Sequence, residues 1–237
     1  RLASAAQLRA ITALLLLSPQ TPMLFQGQEF GASTRFFYFY DQQGEIGEVV
    51  RKGRADFLKQ FPSIDNADVL DQLAEPSARE TFERSKLDWE EFDRHGEIVA
   101  LHRDLLAFRR TDPTFSRRCG RGEIDGSVLG ADAFFLRFFG EASADDRLLF
   151  VNLGRDLPIR SIPDPLSAPP EACDWSMIWS SELTRYGGTG QRTVDLRERW
   201  TLSAHTAIVF GTKAKEVRER PSHEETKRWQ AGQIESG

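Results

Sequence analysis

Residues 18–31 read Ser18-Pro19-Gln20-Thr21-Pro22-Met23-Leu24-Phe25-Gln26-Gly27-Gln28-Glu29-Phe30-Gly31, and this stretch decides the fold. Upstream of it, from about Ala3 to Ser18, the chain is rich in Ala and Leu and free of Gly and Pro, a composition that favours a helix until Pro19 stops it. Pro22 and Gly27 then bracket Met23-Leu24-Phe25-Gln26, a short apolar run of the kind that forms a buried strand. Helix, turn and buried strand in this order make one step of an α/β layout.

Working outward, residues Gly27 to Gly47 are punctuated by glycine and carry five consecutive aromatics, Phe36 to Tyr40. A segment of this length is more than a connection and is expected to have a task. Glu48 to Phe61 reads as a helix ended by Pro62, and Trp89 to Arg110 places Ile98, Leu101, Leu105 and Phe108 at helical spacing. Beyond Asp112-Pro113 the pattern changes to short β-like runs between turn residues: Ala133 to Phe139, Arg147 to Leu153, Trp175 to Trp179, Thr193 to Leu196 and Thr206 to Phe210. These predict an antiparallel β-sandwich, with Trp175 and Trp179 on one strand face as core residues. From Lys213 the chain is charged and nearly devoid of apolar residues, the composition of a loosely held tail.

The bulk numbers set the outer limits. The chain has 237 residues, 40% of them hydrophobic, enough for one large or two modest globular cores. Its 31 basic and 36 acidic residues give a net charge of −5 with no long block of either sign, so neither a nucleic-acid partner nor an anionic membrane surface is expected. The apolar run from Ala10 to Leu17 is too short to span a bilayer and lacks a signal-peptide cleavage site, which points to a cytoplasmic protein. Cys119 and Cys173 form no CxxC pair and read as structural residues. The chain opens on Arg1 rather than Met, with no capping signal ahead of the first helix, so its N-terminus is expected to be cut from a longer protein.

The 18–31 stretch resembles the eighth barrel strand of the α-amylase superfamily, most closely in the malto-oligosyltrehalose trehalohydrolase family. Other segments agree in order and spacing: Gly53-Arg54 with Phe57 to Ser63, Thr81-Phe82-Glu83 leading to Ser85-Lys86-Leu87-Asp88-Trp89, His102-Arg103-Asp104-Leu105-Leu106, and Trp179-Ser180-Ser181-Glu182 with Tyr186-Gly187-Gly188. The resemblance implies α/β plus all-β architecture. Residues 1–112 would supply the last strand–helix units of a (β/α)8 catalytic barrel, 113–212 a C-terminal antiparallel β-sandwich and 213–237 the tail. The implied activity is hydrolysis of the α-1,4 bond next to the terminal trehalose of maltooligosyl trehalose. A branching or debranching enzyme, or a non-catalytic glucan-binding or partner-binding module, are the alternatives.

Such hydrolysis needs two carboxyl groups flanking the bond, roughly 5 Å apart in retaining enzymes. In this superfamily those two groups and a third aspartate belong to strands four, five and seven, which would lie in a missing N-terminal barrel portion. None can be placed on Asp41, Glu45 or Asp88, and the chain alone is expected to be inactive. The resemblance leaves one wall of the sugar site. Gln28 and Glu29 are candidates to hydrogen-bond hydroxyls or orient a neighbour, and Phe36, Tyr38 or Tyr40 to stack on a glucose face, with Tyr38 preferred. Five adjacent rings cannot all face one cleft, so some must pack beneath the loop, and Glu29 is equally readable as a structural carboxylate.

No metal or cofactor is expected. His95, His102, His205 and His223 form no HExxH or Cys/His cluster and read as ordinary helix and surface residues. G-x-S-x-G and the phosphate-binding glycine patterns are absent, and Gly187-Gly188-Thr189-Gly190 reads as a turn.

Overall fold

The computed structural model describes residues 3–42, 44–61, 74–116, 123–190 and 193–215. Cys119, Pro62, His223 and the tail beyond Lys215 lie outside the described residues. Among the described residues the helices are α1 (Ala5–Leu17), α2 (Gly44–Leu58), α3 (Arg79–Glu83), α4 (Glu90–Arg94) and α5 (Gly96–Thr111). The strands are β1 (Ile124–Gly130), β2 (Ala133–Phe138), β3 (Arg147–Asn152), β4 (Leu157–Ile159), β5 (Cys173–Ser180), β6 (Trp200–Leu202) and β7 (Thr206–Ala214). The chain forms two compact units, one of Arg1–Pro22 with Arg103–Gly237 and one of Met23–His102.

In the first unit β1-β2-β3-β7-β5 form an antiparallel sheet and β4 pairs with β6 in a ribbon. One face of the sheet and the ribbon enclose Phe135, Leu148, Phe150, Ile159, Leu202, Ile208 and Phe210. Phe150 stands at the centre, stacked on Phe135 at 5.2 Å and edge-on to Phe210 at 5.5 Å and Trp200 at 5.6 Å, arrangements that aromatic quadrupoles favour. Two layers around one apolar core are consistent with the expected sandwich.

Helix α1 packs on β7 and β3 in the same unit. Its buried residues Arg9, Ala10, Thr12, Ala13, Leu16 and Leu17 recur at helical spacing. The expectation of an uncapped start is corrected: the Ser4 hydroxyl accepts from the Gln7 amide while the Gln7 side chain accepts from the Ser4 amide, a capping box that the Ser-x-x-Gln spacing encodes. At the other end Arg109 donates to the carbonyls of Leu16, Ser18, Pro19 and Gln20, which Pro19 leaves without helical partners.

Three further expectations are corrected. Met23 to Gln26 form no strand, and Met23 and Phe25 stand 87% and 58% exposed. A parallel strand exists only through its neighbours, and every paired strand among the described residues lies between Ile124 and Ala214 in antiparallel ladders. Thr193 to Leu196 is likewise not a strand, because the Asp195 carboxylate takes the amide and guanidinium of Arg197 and closes a turn. Trp175 and Trp179 do not share a face. A bulge between Met177 and Trp179 sets Met177 opposite Phe210 and Trp179 opposite Val209. The extra residue flips the alternation, so that Trp175 packs on the core of the sheet while Trp179 turns to Tyr186 at 5.9 Å.

Candidate functional site

The Met23–His102 unit carries all five residues singled out as a sugar wall. Gly27 turns the chain with φ +77°, and a Cβ there would come within 2.6 Å of Ala32 Cβ and 2.8 Å of Leu87 Cδ2, so only glycine fits. Gln28–Phe30 make one 3-10 turn, and Phe30 is fully buried between Trp89 at 5.6 Å and Phe92 at 5.8 Å. The Gln28 side-chain oxygen folds back to accept the Phe25 amide at 3.1 Å. Its amide group therefore stays available to donate. Glu29 is half-buried, and among the described residues no hydrogen bond or ion pair engages its carboxylate.

From Ala32 to Gln42 the chain runs without regular structure, and its rings divide. Phe37 lies under the Arg84 guanidinium at 4.5 Å, and Phe39 meets Phe82 at 5.0 Å, both against α3 and the turn after it. Phe36 and Tyr38 stay exposed at 47% and 40%. Phe36 leans on Phe25 at 5.4 Å, and Tyr38 lies between Tyr40 at 6.3 Å and Arg54 at 4.8 Å. Tyr40 is half-buried and its hydroxyl donates to the Gly47 carbonyl at 3.1 Å. The fold thus brings Gln28, Glu29, Phe36, Tyr38 and Tyr40 onto one segment, with Phe36 and Tyr38 carrying the open ring surface and Tyr40 tied into the chain.

Residues not singled out for the site from sequence hold this segment. The Ser33 amide donates to Glu91 Oε2 at 2.8 Å. The Phe37 amide donates to the Ser85 hydroxyl at 3.0 Å, and His95 Nδ1 contacts the Phe30 carbonyl at 2.8 Å. Glu91 is buried, and hydrogen bonds from the hydroxyl and amide of Ser33 hold its carboxyl below the ordinary glutamate range. Asp88 is occupied at the start of α4, accepting from the Glu90 amide and from Arg94. His95 and His102 fall on the helical segment as expected: His95 links α4 to α5 and contacts the Phe30 carbonyl, while His102 is buried within α5 with Nδ1 on the Ile98 carbonyl at 2.9 Å.

In the unit built on the sheet, the remaining motif residues are bound within that unit. Arg9 donates from Nη2 to Glu182 Oε1 and Oε2 at 2.7 and 3.0 Å and from Nε to the Ser181 carbonyl at 3.0 Å, all buried. The Tyr186 hydroxyl donates to Asp104 at 2.8 Å and accepts from Trp179 Nε1 at 3.2 Å; burial, followed by the hydrogen bond to Asp104, raises its pKa. Gly188 lies against the Glu182 backbone, where a Cβ would approach to 2.4 Å. A cleft of about 710 Å³ beside β5 is lined in part by Arg197, which pairs with Asp195 at 2.7 Å and with Asp174 at 3.4 Å. Among the described residues no group of three or more His, Cys, Asp or Glu is placed to hold a metal ion, and no helix is long and apolar enough to cross a membrane.

Set against solved structures, the fold is similar to part of a protein assigned to the alpha amylases. The likeness covers 89% of the chain with a TM-score of 0.63 and 24% identity to 31% of that Salmonella typhimurium protein. A trehalose-6-phosphate hydrolase of Bacillus licheniformis matches over the same share with a TM-score of 0.52 and 14% identity, covering 39% of that chain. At these identities the likeness is one of fold.

Sequence sharpens it: the chain resembles malto-oligosyltrehalose trehalohydrolases. It is 40% identical to that of Deinococcus radiodurans over 146 residues, 61% of this chain and 23% of the relative. Against the enzyme of Brevibacterium helvolum it is 39% identical over 137 residues, 56% of this chain and 22% of the relative, and against that of Arthrobacter ramosus 43% over 110 residues, 45% and 18%. The matched part thus spans less than a quarter of each of these three curated relatives. No protein-family model matches the chain.

Proposed function

We propose that this chain is the C-terminal part of a glycosidase that hydrolyses the α-1,4 bond next to the terminal trehalose of maltooligosyl trehalose, releasing trehalose. The observation that carries the reading is the 40% identity to the trehalohydrolase of Deinococcus radiodurans. The exposed Met23 and Phe25 support it, since apolar side chains of a barrel strand need neighbours that these residues do not include. Residues 1–112 then close the (β/α)8 barrel, 113–212 form the C-terminal domain, and the packing of α1 on β3 and β7 makes that helix the joint between them.

The two carboxyl groups that cleave the bond come from sequence outside these residues, one as acid and one as nucleophile. The segment after Gly27 lines the sugar. Phe36 and Tyr38 present flat apolar surface to the carbon-bound hydrogens of glucose rings, and the Gln28 amide and Glu29 carboxylate donate to and accept from hydroxyls. Tyr40 contributes less, because its hydroxyl is committed to Gly47. The substrate is a neutral α-glucan, in keeping with the balanced charge, and the protein works in the cytoplasm.

The test is a hybrid of the Deinococcus radiodurans enzyme in which this chain replaces the corresponding region. The hybrid is expected to release trehalose from maltooligosyl trehalose and to prefer it to a plain maltooligosaccharide. A folded hybrid that transfers or debranches glucan instead, or that ignores the trehalose end, would overturn the reading.

A further inference from the structure

The wall segment has no strand partner along Ala32–Gln42, yet its main chain is gripped from one side. Glu91 Oε2 accepts the Ser33 amide at 2.8 Å, and the Ser85 hydroxyl accepts the Phe37 amide at 3.0 Å while reaching the carbonyls of Phe37 at 3.2 Å and Thr81 at 2.9 Å. Both side chains are buried, at 8% and 3% exposure. Among the described residues Glu91 has no ion-pair partner, although Arg94 and His95 lie near enough to act on its charge. A buried carboxylate without a counter-ion is costly, and here the Ser33 hydroxyl and amide offset that cost. The grip reaches the main chain at Ser33 and Phe37, four residues apart, and the Ser33 hydroxyl, so the side chains of Phe36 and Tyr38 remain available.

We propose that Glu91 and Ser85 are positioning residues for the α-glucan, holding Phe36 and Tyr38 in a preformed stacking surface by fixing the main chain at Ser33 and Phe37. This rests on the reading of the segment as a glucan wall. A loop ordered before the sugar arrives does not lose that freedom on binding, so the grip acts on affinity rather than on bond cleavage. Phe37 and Phe39, anchored on Arg84 and Phe82, set which rings turn inward.

The hybrid enzyme carrying Glu91→Ala or Ser85→Ala is expected to show a KM for maltooligosyl trehalose raised about tenfold, with kcat per folded enzyme within about twofold, the pattern of lost uniform binding. Glu91→Gln keeps an acceptor oxygen and is expected to restore KM, which a general loosening of the fold would not do. In the 237-residue chain, hydrogen exchange at the Ser33 and Phe37 amides is expected to quicken in the alanine variants while β3 and β7 stay protected. Unchanged exchange at those two amides overturns the proposal, and so does faster exchange with an unmoved KM. Tyr38→Ala separates this from the wall reading: if it leaves KM untouched the wall itself fails, whereas if it raises KM and Glu91→Ala does not, only the positioning role fails.

Discussion

In the unit built on the sheet, buried polar groups are consumed by one another. Arg9 holds Glu182 and Ser181, Asp104 holds Tyr186, Arg137 holds Asp146, and Arg147 holds Asp112, each pair with little exposure except Asp104 and its neighbour Arg185. In the Met23–His102 unit the polar groups go instead to the backbone of one segment, and Phe36, Tyr38 and Glu29 are left with surface unspent. A motif that satisfies itself inside the chain keeps a fold together, and one that props up a loop without occupying its side chains prepares a contact with something else.

The sharpest way to break this contrast is Glu182→Ala. It strands the buried Arg9 guanidinium and is expected to destabilise the sheet unit by about 3–5 kcal/mol in chemical denaturation, while Arg9→Met with Glu182→Leu recovers most of the loss. A change near zero for the single variant would mean that the pair is wetter than its burial indicates. Next in size is Gly27→Ala, which forces a side chain into a left-handed turn against Ala32 and Leu87; a cost of about 1–3 kcal/mol is expected, read as faster exchange over Gln28–Ala32 with β7 unaffected. Tyr38→Ala should change stability by no more than about 0.5 kcal/mol, since the ring is exposed and only Tyr40 and Arg54 flank it, and its effect should appear in glucan affinity.

The smallest effects separate the units by pH. Glu91 has a lowered folded pKa, so its contribution is present above the ordinary glutamate value of about 4.3 and is lost as pH falls through the folded value. Tyr186 has a raised folded pKa, so its contribution is complete below about 10 and is lost as pH rises through the folded value. Glu91→Gln is expected to flatten the acid limb of stability in one unit and Tyr186→Phe the alkaline limb in the other. Each is measured by exchange against pH, and identical limbs in wild type and variant would remove these groups from the account.

Sequence alone exposed α1 through its Ala- and Leu-rich composition, α5 through apolar residues at helical spacing, and β2, β3, β5 and β7 as short β-like runs. It passed over β1, whose Asp125-Gly126-Ser127 interior breaks the β signature, and β4, which is three residues with a central proline. The bulge in β5 was invisible because one extra residue changes the face without changing the composition. At the candidate site the rings and Gln28-Glu29 stood out by type, and alternation along the segment sorts which rings are anchored. Glu91, Ser85 and His95 did not stand out, since their partners lie 58, 48 and 65 residues away and a hydrogen bond to a distant backbone leaves no periodic trace.

The most direct measurement is trehalose release from maltooligosyl trehalose by the purified 237-residue chain, with amide protection of β3 and β7 checked in the same sample. Protected strands with no trehalose formed is the result expected of a wall without its carboxylates; turnover by this chain alone, at the pace of a complete trehalohydrolase, would contradict it.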